Sequence, residues 1–279
     1  MKRSSYFTGS DAASGSATDR APSTFNTLRL LRALAVAGLC MSGLPAVQAA
    51  NVTLDFDTLA PVALGHGDTL VTQGFNVAPY SVFDDAQPGD ATGAIIDGTD
   101  AVSSCGLLQC PGSSGADTGV YDSTYLAVVA DGTLRLTSAT AGQRFTVNSF
   151  DASFLGSNLY SYGAVPGVLA MVGHRADGTV VENYFELGAL TNDGFVFAPY
   201  ESYGGFAQQN FVAVDFFAYE CVTDALNCWA YSNGLGQFAI DNIGLTVSAV
   251  PEPSAWLMMG AGLLGVAGAA RRRRQSATA

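Results

Sequence analysis

Positive charge is what this chain has least of. Lys2 is its single lysine, and between Asn51 and Val250 the only basic residues are Arg135, Arg144 and Arg175. The same stretch holds 21 of the 24 carboxylates, which leaves it a net charge of −18. Such a surface repels nucleic acid and anionic lipid, so no nucleic-acid partner is expected. It suits solubility outside the cell, or divalent cations. Histidine is nearly absent. His66 sits in a glycine-flanked turn and His174 reads as the end of a strand, so neither is expected to be a general base. No G-x-S-x-G, H-E-x-x-H or P-loop occurs, which removes the enzyme classes built on those patterns. Charged residues make up only 13%, but 48% apolar residues exclude a disordered chain.

The two ends read as addresses. Arg29 and Arg32 precede an apolar run from Ala33 to Leu44, then Pro45 and Val47-Gln48-Ala49-Ala50. This is the charged, apolar and small-residue order of a secretory signal, with cleavage expected after Ala49 or Ala50. Residues 1–50 are therefore an N-terminal extension plus signal peptide, routed through the Sec translocon. Leu39 stands before Cys40 where a lipoprotein box wants a small residue, so lipidation is not expected. Residues 250–279 begin with Pro251-Glu252-Pro253, run through an uncharged stretch at 254–270, and close on Arg271, Arg272, Arg273 and Arg274. A helix over 254–270 covers roughly 25 Å, near the lower limit for a single span. The arginines place its C-terminus in the cytoplasm. The two prolines keep the preceding strip extended, where a membrane-embedded peptidase can grip it.

These three parts, in this order, resemble the PEP-CTERM sorting signal of Gram-negative bacteria. The resemblance implies an exosortase as partner. That enzyme cleaves at or near Pro251-Glu252-Pro253 and releases the protein from transient anchoring in the inner membrane toward the cell surface or extracellular matrix. It covers only the tail and says nothing of what the exported domain does.

Residues 51–249 carry strand-like stretches: Val52-Phe56, Tyr125–Val129, Leu134–Thr137, Phe145–Phe154, Val168–His174, Val180–Phe185, Phe211–Tyr219 and Gln237–Val247. Turns such as Ala130-Asp131-Gly132 separate them. The expectation is an all-β domain, an antiparallel two-sheet sandwich of jelly-roll-like form. Asp84–Gly119 shows no periodicity and reads as a long loop. In Gln237–Val247 the apolar positions are even at Phe238 and Ile240 but odd at Ile243, Leu245 and Val247. Side chains alternate faces along a strand, so one extra residue, a β-bulge, is expected at Asp241-Asn242. This stretch resembles the Gln-Phe-x-x-Asp closing motif of a subset of PEP-CTERM proteins. It is also similar to the closing strand of many jelly-roll surface modules.

Cys105, Cys110, Cys221 and Cys228 fall into two local pairs. In an oxidising compartment the expected bonds are 105–110 and 221–228, each closing a small loop. Four cysteines allow three pairings, and a four-thiolate metal site is the other reading. Asp55, Asp57, Asp241 and Asn242 come from the first and last strands and form a candidate set for a structural Ca²⁺ ion. Tyr160, Tyr162, Tyr200, Tyr203, Trp229 and Tyr231 lie in turn-rich stretches where rings could stack on sugars. The function expected is a non-catalytic surface or matrix protein that binds extracellular polysaccharide. The alternative is a secreted hydrolase acting on such a polymer, with a carboxyl pair drawn from the many acids.

Overall fold

The structure is a computed structural model. It describes residues 49–101, 108–109, 121–157, 161–191, 194–221, 227–232, 234–248, 259–268 and 270. The described part of residues 49–248 contains strands β1 (Ala50–Leu54), β2 (Val62–Gly65), β3 (Leu70–Thr72), β4 (Phe75–Tyr80), β5 (Ala91–Asp97), β6 (Leu108–Gln109), β7 (Thr124–Val128) and β8 (Thr133–Ser138). It continues with β9 (Phe145–Phe154), β10 (Gly156–Ser157), β11 (Gly167–His174), β12 (Val180–Glu186), β13 (Ala198–Glu201), β14 (Ala213–Cys221), β15 (Cys228–Trp229) and β16 (Phe238–Val247).

Two antiparallel sheets make the sandwich. The first runs β13-β9-β16-β7-β5-β2, with β1 also paired to β16. The second runs β12-β11-β14-β8-β4-β3, with β15 paired to β14. Period-two patterning sets which side chains meet between them. In β14, Val214, Phe216 and Ala218 turn into the core, while Asp215, Phe217 and Tyr219 take the other face. Aromatic edges lock the layers together. Phe75 meets Phe145 at 5.1 Å, and Phe150 meets both Phe185 at 5.0 Å and Phe216 at 5.6 Å. Each such edge-to-face pair adds about 1 kcal/mol beyond burial.

The stretch read as an aperiodic loop differs from expectation. Residues 91–97 form β5, which buries Ile95 and Ile96 between β2 and β7. Thr92-Gly93-Ala94 hides its period, because three small residues on a doubly covered strand show no apolar alternation. Asp97 then stops the strand by accepting from the Thr99 N–H and hydroxyl, which starts a 3₁₀ turn over Gly98–Asp100.

The irregularity in β16 is present, and it is two-sided. Asn242 takes a left-handed φ of 49°, and the pairing slips between Asp241 and Gly244. β9 makes the matching change. Its core residues are Phe145 and Val147, then Phe150, Ala152 and Phe154, so its parity also flips, at Asn148-Ser149. Asp241 pairs with Asp151 and Leu245 with Val147, so both strands advance four residues and the register is kept. A one-sided bulge would have left the register offset by one.

The second compact unit is described by its helix alone. Residues 259–268 are helical, and Met259, Leu263, Leu264 and Val266 are exposed on it. Among the described residues no helix is long and apolar enough to cross a membrane. Residues 251–258, 269 and 271–279 lie outside the described residues, so Pro251, Glu252, Pro253 and the arginine cluster do as well.

Candidate functional site

The outer face of the second sheet carries charge and rings together. Antiparallel register places Glu182, Val172, Asp215, Arg135 and Ala78 in one row across β12, β11, β14, β8 and β4. Arg135 grips Asp215 with two bonds, from Nε to Oδ1 at 2.7 Å and from Nη2 to Oδ2 at 2.6 Å. His174 Nε2 lies 2.8 Å from the same Oδ2, and the Tyr80 hydroxyl donates to it at 3.4 Å. The Arg135 guanidinium also lies over the Tyr80 ring, 5.2 Å from its centre. The bonds to Asp215 raise the Arg135 pKa and keep it charged. Burial, then the charge of Asp215, raises Tyr80.

A run of aromatic rings flanks this row. Tyr231 lies 5.1 Å from Phe217, Phe217 5.5 Å from Tyr219, and Tyr219 6.5 Å from Tyr184. Tyr184 is 46% exposed, and its hydroxyl donates to Glu182 Oε2 at 2.5 Å. That bond pushes its pKa up to about 12, with burial second. Burial also raises Tyr219 and Tyr231. All these hydroxyls therefore stay neutral donors at physiological pH. The surface offers π faces, hydroxyls, a carboxylate and a guanidinium on one rigid sheet.

Tyr231 reaches this sheet because its loop is held at two points. Cys221 and Cys228 are disulfide-bonded, closing the loop onto β14. Asp131 is only 2% exposed and accepts from the Gly234 N–H at Oδ2 and the Gly236 N–H at Oδ1, both at 2.6 Å. Gly236 has no room for a side chain, since a Cβ would lie 2.3 Å from the Ala218 carbonyl oxygen. Tyr231 then shares a 2.8 Å hydrogen bond with the Thr133 hydroxyl.

The other candidates scatter. Tyr162 packs between Phe154 and Phe195, and Tyr200 stacks on Phe150 within β13. Tyr203 donates to the Tyr184 carbonyl at 2.9 Å and covers the β12 edge. Trp229 is half exposed but pairs with Glu220, not with Tyr219. His66 Nδ1 accepts from the Ser81 N–H at 3.0 Å, a turn contact. Tyr160, Cys105 and Cys110 lie outside the described residues.

The calcium set is only partly brought together. Asp241 is fully buried, and its Oδ2 accepts from the Tyr121 hydroxyl at 2.6 Å and the Ser123 hydroxyl at 2.9 Å. Ser123 Oγ also lies 2.7 Å from Asp57 Oδ1, so one hydroxyl joins the two acids. Asn242 turns instead to Asp151, donating at 2.9 Å, and Asp55 is half-buried on the β1 side. Among the described residues no group of three or more acid, histidine or cysteine side chains is arranged to hold a metal. Burial raises the Asp241 pKa most. Its bonds to Tyr121, the Asn242 N–H and Ser123 pull it down, and the charge of Asp57 pushes it up again. In this geometry Asp241 ties the segment at 121–124 across β16.

Sequence reasoning named Tyr231 but missed Asp215, Arg135 and the other three rings of the row, Phe217, Tyr219 and Tyr184. One signal was available: β14 carries Phe216 inward but also Phe217 and Tyr219 outward, an aromatic load on both faces of one strand.

Fold and tail together define an all-β sandwich protein with a C-terminal sorting signal. Residues 249–274 match the PEP-CTERM protein-sorting motif, the mark of export, exosortase processing and surface sorting. A search of curated proteins finds no match. Among solved structures the chain is similar to a DUF4465 family protein from Bacteroides ovatus ATCC 8483, at 10% identity over 71% of this chain and 99% of that one, with a TM-score of 0.38. It is also similar to the enzymatically active domain of bacteriophage CBA120 tailspike protein 4, at 8% identity over 64% of this chain and 20% of that one, with a TM-score of 0.26. TmCBM61 in complex with β-1,4-galactotriose matches at 9% identity over 64% and 90%, with a TM-score of 0.24. At such values none of these likenesses carries a functional argument.

Proposed function

We propose that this is a non-catalytic surface protein that binds an extracellular polysaccharide through the outer face of the second sheet. The observation that carries the reading is the contiguous row Tyr184, Tyr219, Phe217 and Tyr231 beside the Arg135–Asp215 pair. Sugar rings present C–H faces that stack on aromatic rings, and hydroxyls that need paired donors and acceptors. An open sheet supplies both along several sugar units. Asp215 is held by two guanidinium bonds, which suits orientation and not proton transfer.

In this reading residues 1–50 direct Sec export and 254–270 anchor the chain briefly in the inner membrane, with Arg271–Arg274 inside. An exosortase then cuts near Pro251-Glu252-Pro253 and frees the domain to the surface or matrix. The uncharged helix at 259–268 supports that anchoring. Two experiments test the account. Replacing Pro251-Glu252-Pro253 with alanines should leave full-length protein in the membrane fraction; trimming and release as in wild type would overturn the sorting reading. A glycan array probed with the purified full chain should show binding to polysaccharides without hydrolysis. Release of shorter sugars from a bound polymer would replace the binding reading with the hydrolase one.

A further inference from the structure

An open cleft of about 490 Å³ at one end of the sandwich is lined by Arg144, Arg175, Asp177, Gln208, Gln209 and Asn210. It uses two of the three cations in the exported domain, and the third, Arg135, is already committed to Asp215. We propose that this cleft binds the carboxylate of an acidic sugar, a uronate unit at the end of a polysaccharide chain. The cleft adjoins the aromatic face through His174, but its lining shares no residue with the ring row or the Arg135–Asp215 pair.

Backbone bonds around Phe211 build the cleft. Phe145 and Phe211 exchange N–H···O bonds at 3.1 and 2.7 Å, and the Val212 N–H donates to the His174 carbonyl at 2.9 Å. Phe211 itself is fully buried. Arg144, Arg175 and Asn210 are the residues next to these three anchored points, so their positions follow from the core. The Thr146 hydroxyl fixes the neighbouring turn by donating to the Gln209 carbonyl at 2.7 Å. Among the described residues no carboxylate lies within salt-bridge distance of Arg144 or Arg175. The one acid in the lining, Asp177, accepts at Oδ1 from the Thr179 N–H at 3.0 Å and the Thr179 hydroxyl at 2.7 Å. These bonds, and to a lesser degree the Arg175 charge, lower its pKa and keep it charged, so two cations face one carboxylate and the cleft stays net positive. Arg175 Nη1 donates to Thr179 at 3.2 Å. Asn210 Oδ1 accepts from Ser248, which leaves its amide nitrogen for a ligand.

The lining selects the ligand class. Two guanidinium forks recognise a carboxylate, and three carboxamides match sugar hydroxyls as donors and acceptors. Ala176 is the one apolar residue in the lining, so a peptide C-terminus would find no pocket for its side chains. The net charge of −18 opposes a polyanion laid along the surface, so the ligand is a single charged unit and not an anionic stretch.

The test is isothermal calorimetry and amide NMR on the purified full chain with D-glucuronate, D-galacturonate, D-glucose, inorganic phosphate and a short peptide bearing a free carboxylate. The expected result is millimolar uronate binding that shifts amides at 144, 175 and 208–210, with D-glucose at least about tenfold weaker. Arg144→Gln and Arg175→Gln should each weaken uronate binding by about tenfold. Arg144 is exposed, so its variant keeps the fold even if the half-buried Arg175 does not tolerate change. Equal binding of glucose and uronate, preference for phosphate or the peptide, no uronate binding, or an unchanged affinity in Arg144→Gln would each overturn the proposal.

Discussion

The two outer faces of this sandwich are treated in opposite ways. On the first sheet the outward residues Ile96, Tyr125, Ala127 and Ala239 are apolar, and the chain returns to cover them with Ala101, Tyr121, Leu155 and Phe197. Tyr121 stacks on Phe197 at 3.9 Å, and both rings meet Tyr125 edge-on. On the second sheet the outward rings of Tyr184, Tyr219 and Phe217 stay at the surface, interleaved with Asp215, Arg135 and Glu182. A covered aromatic contributes to stability, whereas an open one next to paired charges is available to a ligand. The same residue type therefore does different work on the two faces, and substitutions should separate the two roles.

The largest effect is expected on the covered face. Tyr125 is fully buried, so Tyr125→Ala should cost about 3–5 kcal/mol in urea unfolding. Tyr184→Ala on the open face should stay within about 1 kcal/mol. Comparable losses at the two positions would dissolve the contrast. Next comes the loop that seats Tyr231. Asp131→Ala leaves the Gly234 and Gly236 N–H groups without their acceptor and should cost about 2–3 kcal/mol. Reducing the Cys221–Cys228 bond, which spans seven residues, should cost about 2 kcal/mol by calorimetry in dithiothreitol.

The smallest effect concerns Asp241 on the covered face. Its folded pKa is raised, so the native state holds a proton that the unfolded chain gives up earlier. Its contribution is therefore full below the ordinary aspartate range and is lost as pH rises through the folded value. Asp241→Asn keeps a neutral oxygen for Tyr121 and Ser123. Melting temperatures followed from about pH 4 to 7 should show a shallower fall with pH in the variant than in wild type. An identical slope would mean the carboxyl is already ionised, and a rise in wild-type melting on adding Ca²⁺ would mean a cation shares the site.

Much of the sandwich was legible because apolar and polar residues alternate over parts of β9 and β16, while β11 and β14 are short, mostly apolar runs of strand length. The parity flip at Asp241-Asn242 located an irregularity from sequence. The matching flip in β9, from Phe145 and Val147 to Phe150 and Ala152, was equally present and only meant something once the two strands were paired. β5 was hidden by small residues on a strand covered on both faces. The candidate site was least legible. Arg135, His174 and Asp215 come from three strands, 80 and 41 residues apart along the chain, and only antiparallel register brings them together. Solitary turn tyrosines drew attention in the sequence, but Tyr162 and Tyr200 are packed against phenylalanines.

The most direct measurement takes the polysaccharides bound by wild type on the glycan array and compares their affinity for a Tyr184→Ala/Tyr219→Ala variant. Both rings lie on the open face, so the fold should survive, and urea unfolding of the same sample checks this. The account predicts a loss of at least about tenfold in affinity with stability nearly unchanged. Unchanged affinity in the folded variant would contradict the claim that this face is the binding surface.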